Sequence, residues 1–326
     1  MPSYLTNPRV FLRLAQVTLG IIVLNVVTGA AVRLSDSGLG CPDWPTCSRH
    51  HLTAPLAGHR GIEFGNRLVV AALIVATAAT VVAAVLRRPR RRDVMWLSCG
   101  LLAGVLAEAV IGGLVVLSKL NPYVVMGHFM VGMLLLADAV VLALRAGRPG
   151  TAPVARVSHR IVRGSRLMVG LLVVVLAAGT AATGAGPHAG GKGAKRLPLP
   201  LEDAVRIHSG IVLVLAALTL LLLLELWRQR APDAVQRRGH LLLAAMAAQG
   251  IVGYTQYFTH LPALLVGVHV LGATTVWSTA LWFHAGLFHH DAGSPAADRL
   301  ASRQIGCRRP GEAAGAALLH PEGAAR

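Results

Sequence analysis

The chain has 326 residues, 54% of them hydrophobic and 14% charged, and its mean hydropathy is +0.60. That composition is too apolar for an ordinary water-soluble globule and puts the chain in a bilayer. The formal net charge of +17 raises nucleic acid as a partner, but no basic helix or aromatic-interleaved patch stands apart from the apolar stretches, so that class is set aside.

Eight apolar stretches follow in order, near 10–31, 63–86, 94–117, 123–145, 164–184, 203–227, 239–258 and 262–286. Each reaches the roughly 20 residues of helix that cross about 30 Å of hydrocarbon, which predicts an all-α integral membrane protein with eight transmembrane helices. The first stretch, although it holds Gln16 and Asn25, is longer than the apolar region of a signal peptide and is kept as a span. Arginine marks alternate loops: five lie between Arg87 and Arg92, six between Arg145 and Arg166, and Arg228, Arg230, Arg237 and Arg238 crowd the third. Those loops are read as inside, while the others carry fewer cations offset by Asp36, Asp43, Glu202 and Asp203. The expected location is the plasma membrane, multi-pass, with both termini in the cytoplasm. Residues 289–326, rich in Ala, Gly, Pro and Arg, predict a disordered cytoplasmic tail in which His289, His290 and His320 are solvated.

The chain repeats itself. Ile111-Gly112-Gly113, then Asn121-Pro122 and Gly127-His128, recurs as Ile251-Val252-Gly253, then Leu261-Pro262 and Gly267-Val268-His269, with six residues from Pro to His in one copy and seven in the other. This predicts two pseudo-symmetric four-helix bundles in the same orientation, residues 1–150 and 151–288, each with a comparable pocket.

His128, His208 and His269 lie early in the fourth, sixth and eighth spans, and at about 1.5 Å per residue each falls within about 10 Å of the outer boundary. A lone histidine in an apolar helix is more often packed than ligating, but three at one depth are a pattern, and buried ionisable groups are costly without a partner or cofactor. Two neutral imidazoles facing each other supply both axial ligands of a haem iron, and His208 with His269 form that pair in the second half. Gly210, Gly267 and Gly272 leave room for a macrocycle, although small residues also serve plain helix packing. Zinc fits less well, since no carboxylate or cysteine shares that depth in the second half.

In the first half the position matching His208 holds Asn66, within Glu63-Phe64-Gly65-Asn66-Arg67. With His128 as its one strong ligand, a site there keeps a coordination position open or weakly filled, which suits chemistry better than electron storage. Glu63, a turn before Asn66, is placed to take up protons or stabilise developing charge; its spacing from Arg67 equally allows an interfacial ion pair. Glu108 and Asp138 read as packing residues ahead of a proton path, because neither shares the outer depth of the histidines, and Glu225 beside Trp227 and Arg228 reads as an inner-interface anchor.

Of four cysteines, Cys99 lies in the third span and Cys307 in the tail, whereas Cys41 and Cys47 share the first outer loop, on the oxidising side. These two are the pair expected to bond, either as a structural staple or as a reversible dithiol; a zinc pattern lacks its second pair of ligands.

The string Ala31-Val32-Arg33-Leu34 through Ser37-Gly38-Leu39-Gly40-Cys41-Pro42-Asp43-Trp44-Pro45-Thr46-Cys47 resembles the haem A synthase (CtaA/Cox15) family. So do Glu63 to Arg67, Gly127-His128, Thr183-Gly184-Ala185-Gly186-Pro187-His188-Ala189-Gly190, Ile207-His208 and His269, and the resemblance runs to about residue 288. It implies oxidation of the C8 methyl group of haem O to a formyl group by successive hydroxylations, for terminal oxidase biogenesis. It implies haem b held by His208 and His269, haem O as substrate on His128, Glu63 as the catalytic carboxylate with Asn66 and Arg67 at the substrate site, and a Cys41–Cys47 disulfide. Asn66-Arg67 departs from the His-Arg of many members and resembles the form of high-GC Gram-positive ones, which leaves the sixth ligand of the substrate haem open. The implied partners are haem O synthase, terminal oxidase assembly factors and membrane lipid, with a homo-oligomer allowed. Two other readings stand beside it: a di-haem b electron-transfer protein, with two permanent and similarly ligated haems, and a haem transporter that leaves its cargo unchanged.

Overall fold

The computed structural model describes residues 7–48, 53–54 and 57–290. Residues 291–326, with His320 and Cys307, lie outside the described part, and so does most of the predicted tail.

Among the described residues eight helices form in chain order: α1 (Pro8–Leu34), α2 (Gly58–Leu86), α3 (Arg92–Leu117), α4 (Pro122–Ala146), α5 (His159–Ala185), α6 (Leu201–Arg228), α7 (Asp233–Phe258) and α8 (Ala263–Gly286). The starts of α1 and α4 carry their own signals, with Asn7 and Asn121 accepting from the backbone N–H groups of Arg9 and Tyr123 ahead of Pro8 and Pro122. Pro200, Pro232 and Pro262 stand immediately before α6, α7 and α8.

Helices α2, α5 and α7 begin earlier than their apolar runs suggest, at Gly58, His159 and Asp233. The hydrogen-bonded spiral continues past the apolar boundary, so that Arg237 and Arg238 belong to α7 itself. Seven of the eight described helices are long and apolar enough to cross a membrane, α7 being the exception. Large apolar side chains face outward along them: Leu264 is 79% exposed and Val75 69%, the distribution expected where the surroundings are lipid. The chain is a multi-pass membrane protein.

Each set of four helices closes into a ring. Helices α1 to α4 pack in sequence and α4 returns to α1, while α5 to α8 do the same with α8 returning to α5. The two rings meet along α4 against α8, flanked by α1 against α8 and α4 against α5. Leu136, Ala139, Leu142, Val276, Trp277 and Ala280 are buried on α4 and α8, and the Trp277 indole N–H donates to the Met133 carbonyl at 2.9 Å across this seam.

The α3–α4 and α7–α8 hairpins share one geometry. Lys119 and Leu120 (φ 54° and 61°) match His260 and Leu261 (φ 64° and 59°), and Leu120 N and Leu261 N each donate back to a carbonyl five residues earlier, on Val115 and Gln256. One constant shift in numbering carries Glu108 to Gln249, Gly112 to Gly253, Leu120 to Leu261 and His128 to His269. The sequence-level pairing of Pro122 with Pro262 is off this register by one residue, which is why the two proline-to-histidine spacings differ.

Past α8 the order persists. Strand β1 (Pro153–Ala155) pairs antiparallel with β2 (Phe288–His290), and His290 Nδ1 lies 2.8 Å from the Thr151 carbonyl. This corrects the expectation that the disordered tail starts at 289 and that His289 and His290 are simply solvated: the backbone of both is engaged in the strand pair.

Candidate functional site

In the second ring His208 of α6 and His269 of α8 face each other with ring centres 6.5 Å apart and planes 73° from parallel. Two metal–imidazole bonds of about 2.0 Å, with the reach from each nitrogen to its ring centre, span about 6.4 Å, so an iron fits between the two side chains. His208 Nδ1 lies 3.1 Å from the Val175 carbonyl; as the donor there it leaves Nε2 with a free lone pair. His269 Nδ1 is buried and, among the described residues, has no hydrogen-bond partner, a cost that ligation through the ring would offset. The donor set and its spacing fit a haem iron.

Both rings lie on glycines of the preceding helix. A Cβ on Gly179 would stand 3.1 Å from His208 Cε1, and one on Gly253 would stand 3.1 Å from His269 Cε1. The first ring repeats the arrangement, with a Cβ on Gly112 falling 3.3 Å from His128 Cε1. A glycine one helix back is what lets the edge of each histidine ring come this close to its neighbour.

His128 differs in what stands behind it. Glu108 Oε1 on α3 is 3.0 Å from His128 Nδ1, within ion-pair range though off the line of a hydrogen bond, and Glu108 Oε2 is buried without a partner among the described residues. The equivalent Gln249 turns instead to the backbone, donating to the His269 carbonyl at 2.7 Å. The sequence pattern reads Glu108 as a packing residue, whereas in the structure it stands against the His128 imidazole. Asp138, by contrast, faces Gly100, with Oδ1 buried and unpartnered.

Glu63, Arg67, Cys41 and Cys47 form a separate cluster. Cys41 and Cys47 are bonded to each other. Glu63 is buried, and both its oxygens are engaged: Oε2 accepts from Cys41 N at 2.7 Å and Oε1 from Arg67 Nη2 at 2.7 Å. Arg67 also donates to the carbonyls of Thr46 (2.9 Å), Asp43 (3.0 Å), Cys41 (3.2 Å) and Pro45 (3.3 Å). Of the two roles open to Glu63, the ion pair is present, and it clamps the disulfide loop onto α2. Trp44 of that loop covers Gly113, the neighbour of Gly112, since a Cβ there would meet the indole at 2.6 Å. The loop therefore lies over the end of α3 next to the His128 site. Asn66 sits beside the cluster and accepts from the Thr28 hydroxyl at 2.7 Å.

Arg33 ties the two rings at this end. It donates to the carbonyls of His188 (2.7 Å) and Thr183 (3.0 Å), and His188 Nε2 lies 2.8 Å from the Leu261 carbonyl. No role for Arg33 or His188 was read from the sequence beyond their place in the resembling strings.

Residues 12–60 and 58–190 match the COX15-CtaA family, described as cytochrome oxidase assembly protein. The chain belongs to this family. The match takes in Cys41, Cys47, Glu63, Asn66, Arg67, Glu108 and His128, and ends before His208 and His269. Among curated proteins, this family member is 39% identical over 140 residues to a Heme A synthase of Geobacillus kaustophilus (strain HTA426), covering 41% of the chain and 42% of that protein. It is 39% identical over 143 residues to a Heme A synthase of Geobacillus thermodenitrificans (41% and 44%), and 30% identical over 150 residues to one of Shewanella oneidensis (40% and 44%). The chain thus spans about two fifths of the length of the curated relatives it matches.

Proposed function

We propose that this family member is a haem A synthase, oxidising the C8 methyl group of haem O to a formyl group by successive hydroxylations. The observation that carries the reading is the inequality of the two histidine sites within one fold. His208 and His269 stand at the separation of two axial ligands, whereas His128 is backed by Glu108 and the position on α2 that corresponds to His208 carries Asn66, which accepts from Thr28. A resident haem b on the His208–His269 pair supplies one-electron chemistry when bound. A di-haem electron carrier calls for two like sites, and the asymmetry speaks against it.

In this scheme the rings are pseudo-symmetric bundles, α7 completes eight spans, and the disulfide end faces outward with the arginine-rich end and both termini in the cytoplasm of a cell whose plasma membrane holds the protein. Haem O docks on His128 under the disulfide loop. Glu108 orients the imidazole so that Nε2 is left for the iron of the substrate. Glu63 is the candidate catalytic carboxylate, and its bonds to Cys41 and Arg67 also hold the loop that shields the pocket from water. Haem O synthase and terminal oxidase assembly factors are the expected partners upstream and downstream, in lipid, with a homo-oligomer compatible with the exposed faces.

Co-expression with a haem O synthase, followed by mass resolution of the extracted haems, tests the assignment. Haem A is expected with the intact chain and haem O alone with Glu63→Gln. Haem O left unmodified by the intact chain sinks the enzyme reading. His208→Ala and His269→Ala should each remove the low-spin spectrum of the resident haem, and a normal spectrum in both refutes the pairing.

A further inference from the structure

At the end opposite the disulfide loop, Arg148 after α4, Arg156 after β1 and Arg238 in α7 line one cavity of about 220 Å³, beside Gly286, His289 and His290. Among the described residues no carboxylate lines it and none of the three arginines has an ion-pair partner. Gathering three like charges costs free energy, and burial followed by the neighbouring Arg238, Arg145 and Arg156 holds the Arg148 pKa below its usual value.

Two of the guanidiniums are fixed in place. Arg148 Nη1 donates to the Ala285 carbonyl at 3.1 Å, and Arg238 Nη1 to the Trp282 carbonyl at 3.3 Å with its guanidinium 4.6 Å from the Trp282 ring centre. Gly286 permits this approach, since a Cβ there would stand 2.5 Å from Arg238 Nη1. Each guanidinium carries five N–H donors, so these backbone contacts use a minority of them. Solvated arginines that merely mark the inner side of a membrane protein have no need of such anchoring around a shared cavity.

We propose that this cavity binds the phosphate group of an anionic phospholipid headgroup. A tetrahedral, multiply charged oxyanion matches convergent guanidinium forks. The cavity is several times the roughly 30 Å³ share of one water, which gives the phosphate room. Its place among helix ends at the arginine-rich end is where an inner-leaflet headgroup stands, and basic pockets between transmembrane helices on that side take anionic headgroups. A free phosphate compound presents the same chemistry, and the test separates the two sources. The inference is independent of the haem reading.

The full chain, purified in detergent and stripped of lipid, is incubated separately with phosphatidylglycerol, phosphatidylcholine and inorganic phosphate. Bound lipid is counted by native mass spectrometry, and melting is followed in parallel. Phosphatidylglycerol is expected to stay bound and raise the melting temperature, phosphatidylcholine to do neither, and inorganic phosphate to give no shift at equal concentration. Arg156→Gln, which gives up no side-chain bond to the backbone, should weaken retention about fivefold. The combined Arg148→Gln, Arg156→Gln and Arg238→Gln change should abolish it. A melting shift with inorganic phosphate alone, lost in Arg156→Gln, supports the site and overturns the lipid as its source. Equal retention of phosphatidylglycerol and phosphatidylcholine, or equal retention of phosphatidylglycerol by the unchanged chain and Arg156→Gln, overturns the proposal.

Discussion

His128, His208 and His269 share a glycine cradle yet differ at Nδ1, facing a carboxylate, a backbone carbonyl and no partner respectively. The group behind Nδ1 sets the basicity and orientation of an imidazole ligand, and a carboxylate acts most strongly. Glu108→Gln keeps the size of the side chain and exchanges its charge for the amide that the second ring carries at Gln249. The expected result is a substrate-site haem bound about 10- to 100-fold more weakly. Its ferrous iron–histidine stretch in resonance Raman spectra of protein loaded with haem should move to lower frequency, while the low-spin spectrum of the His208–His269 haem stays unchanged. A stretch that does not move takes Glu108 out of the site. Reading the sequence by depth along each helix passed over this residue: Glu108 is about 13 Å from the end of α3 and His128 about 9 Å from the start of α4, by helix rise. The length of a glutamate side chain closes that gap, which a comparison of Cα depths does not register.

At the scale of elements, the disulfide loop is held to α2 by one guanidinium. Arg67 reaches four loop carbonyls and Glu63, a planar fork that an ammonium group does not reproduce. Removing it leaves the buried Glu63 carboxylate uncompensated. Arg67→Ala should cost about 3 kcal/mol, the low end for breaking a buried pair, because a fifth of the Arg67 side chain still meets solvent. Thermal unfolding measures that loss, and reduction of Cys41–Cys47 by an added thiol should become faster, with Arg67→Lys only partly restoring the slow rate. An unchanged reduction rate in Arg67→Ala would show that the loop is held some other way. The spacing of Glu63 and Arg67 made their pairing legible in the sequence, and the position of Cys41 and Cys47 made the disulfide legible. What the pair clamps was not, since the bonds run to carbonyls and one N–H of the loop and leave no trace in residue type. The spans α3, α4, α6 and α8 were legible to within about two residues because Arg92, Pro122, Pro200 and Pro262 mark their starts, whereas α2, α5 and α7 begin in polar sequence that hydropathy does not mark.

For the whole molecule, the pattern of ring contacts bears on what the two sets of four helices accomplish together. The rings meet through α4 against α8, α1 against α8 and α4 against α5, the contacts that the proposed pseudo-two-fold relation of α1–α4 to α5–α8 calls for. Both rings carry a glycine cradle for a histidine, so a difference between the sites comes from side chains. Asn66 is that difference on α2, where it accepts from Thr28 and offers iron a weak ligand at best. Asn66→His restores the composition of a two-histidine clamp to the first ring. It breaks the Thr28 bond, at a cost of about 1 kcal/mol, and leaves the packing of the rings intact. With haem loaded into both rings, electron paramagnetic resonance of the oxidised protein should then show two low-spin haems per chain where the unchanged chain shows one, the second signal disappearing in Asn66→His combined with His128→Ala. A single low-spin haem in Asn66→His would mean that α2 does not present this position to the iron, and the openness of the first site would need another cause than the asparagine.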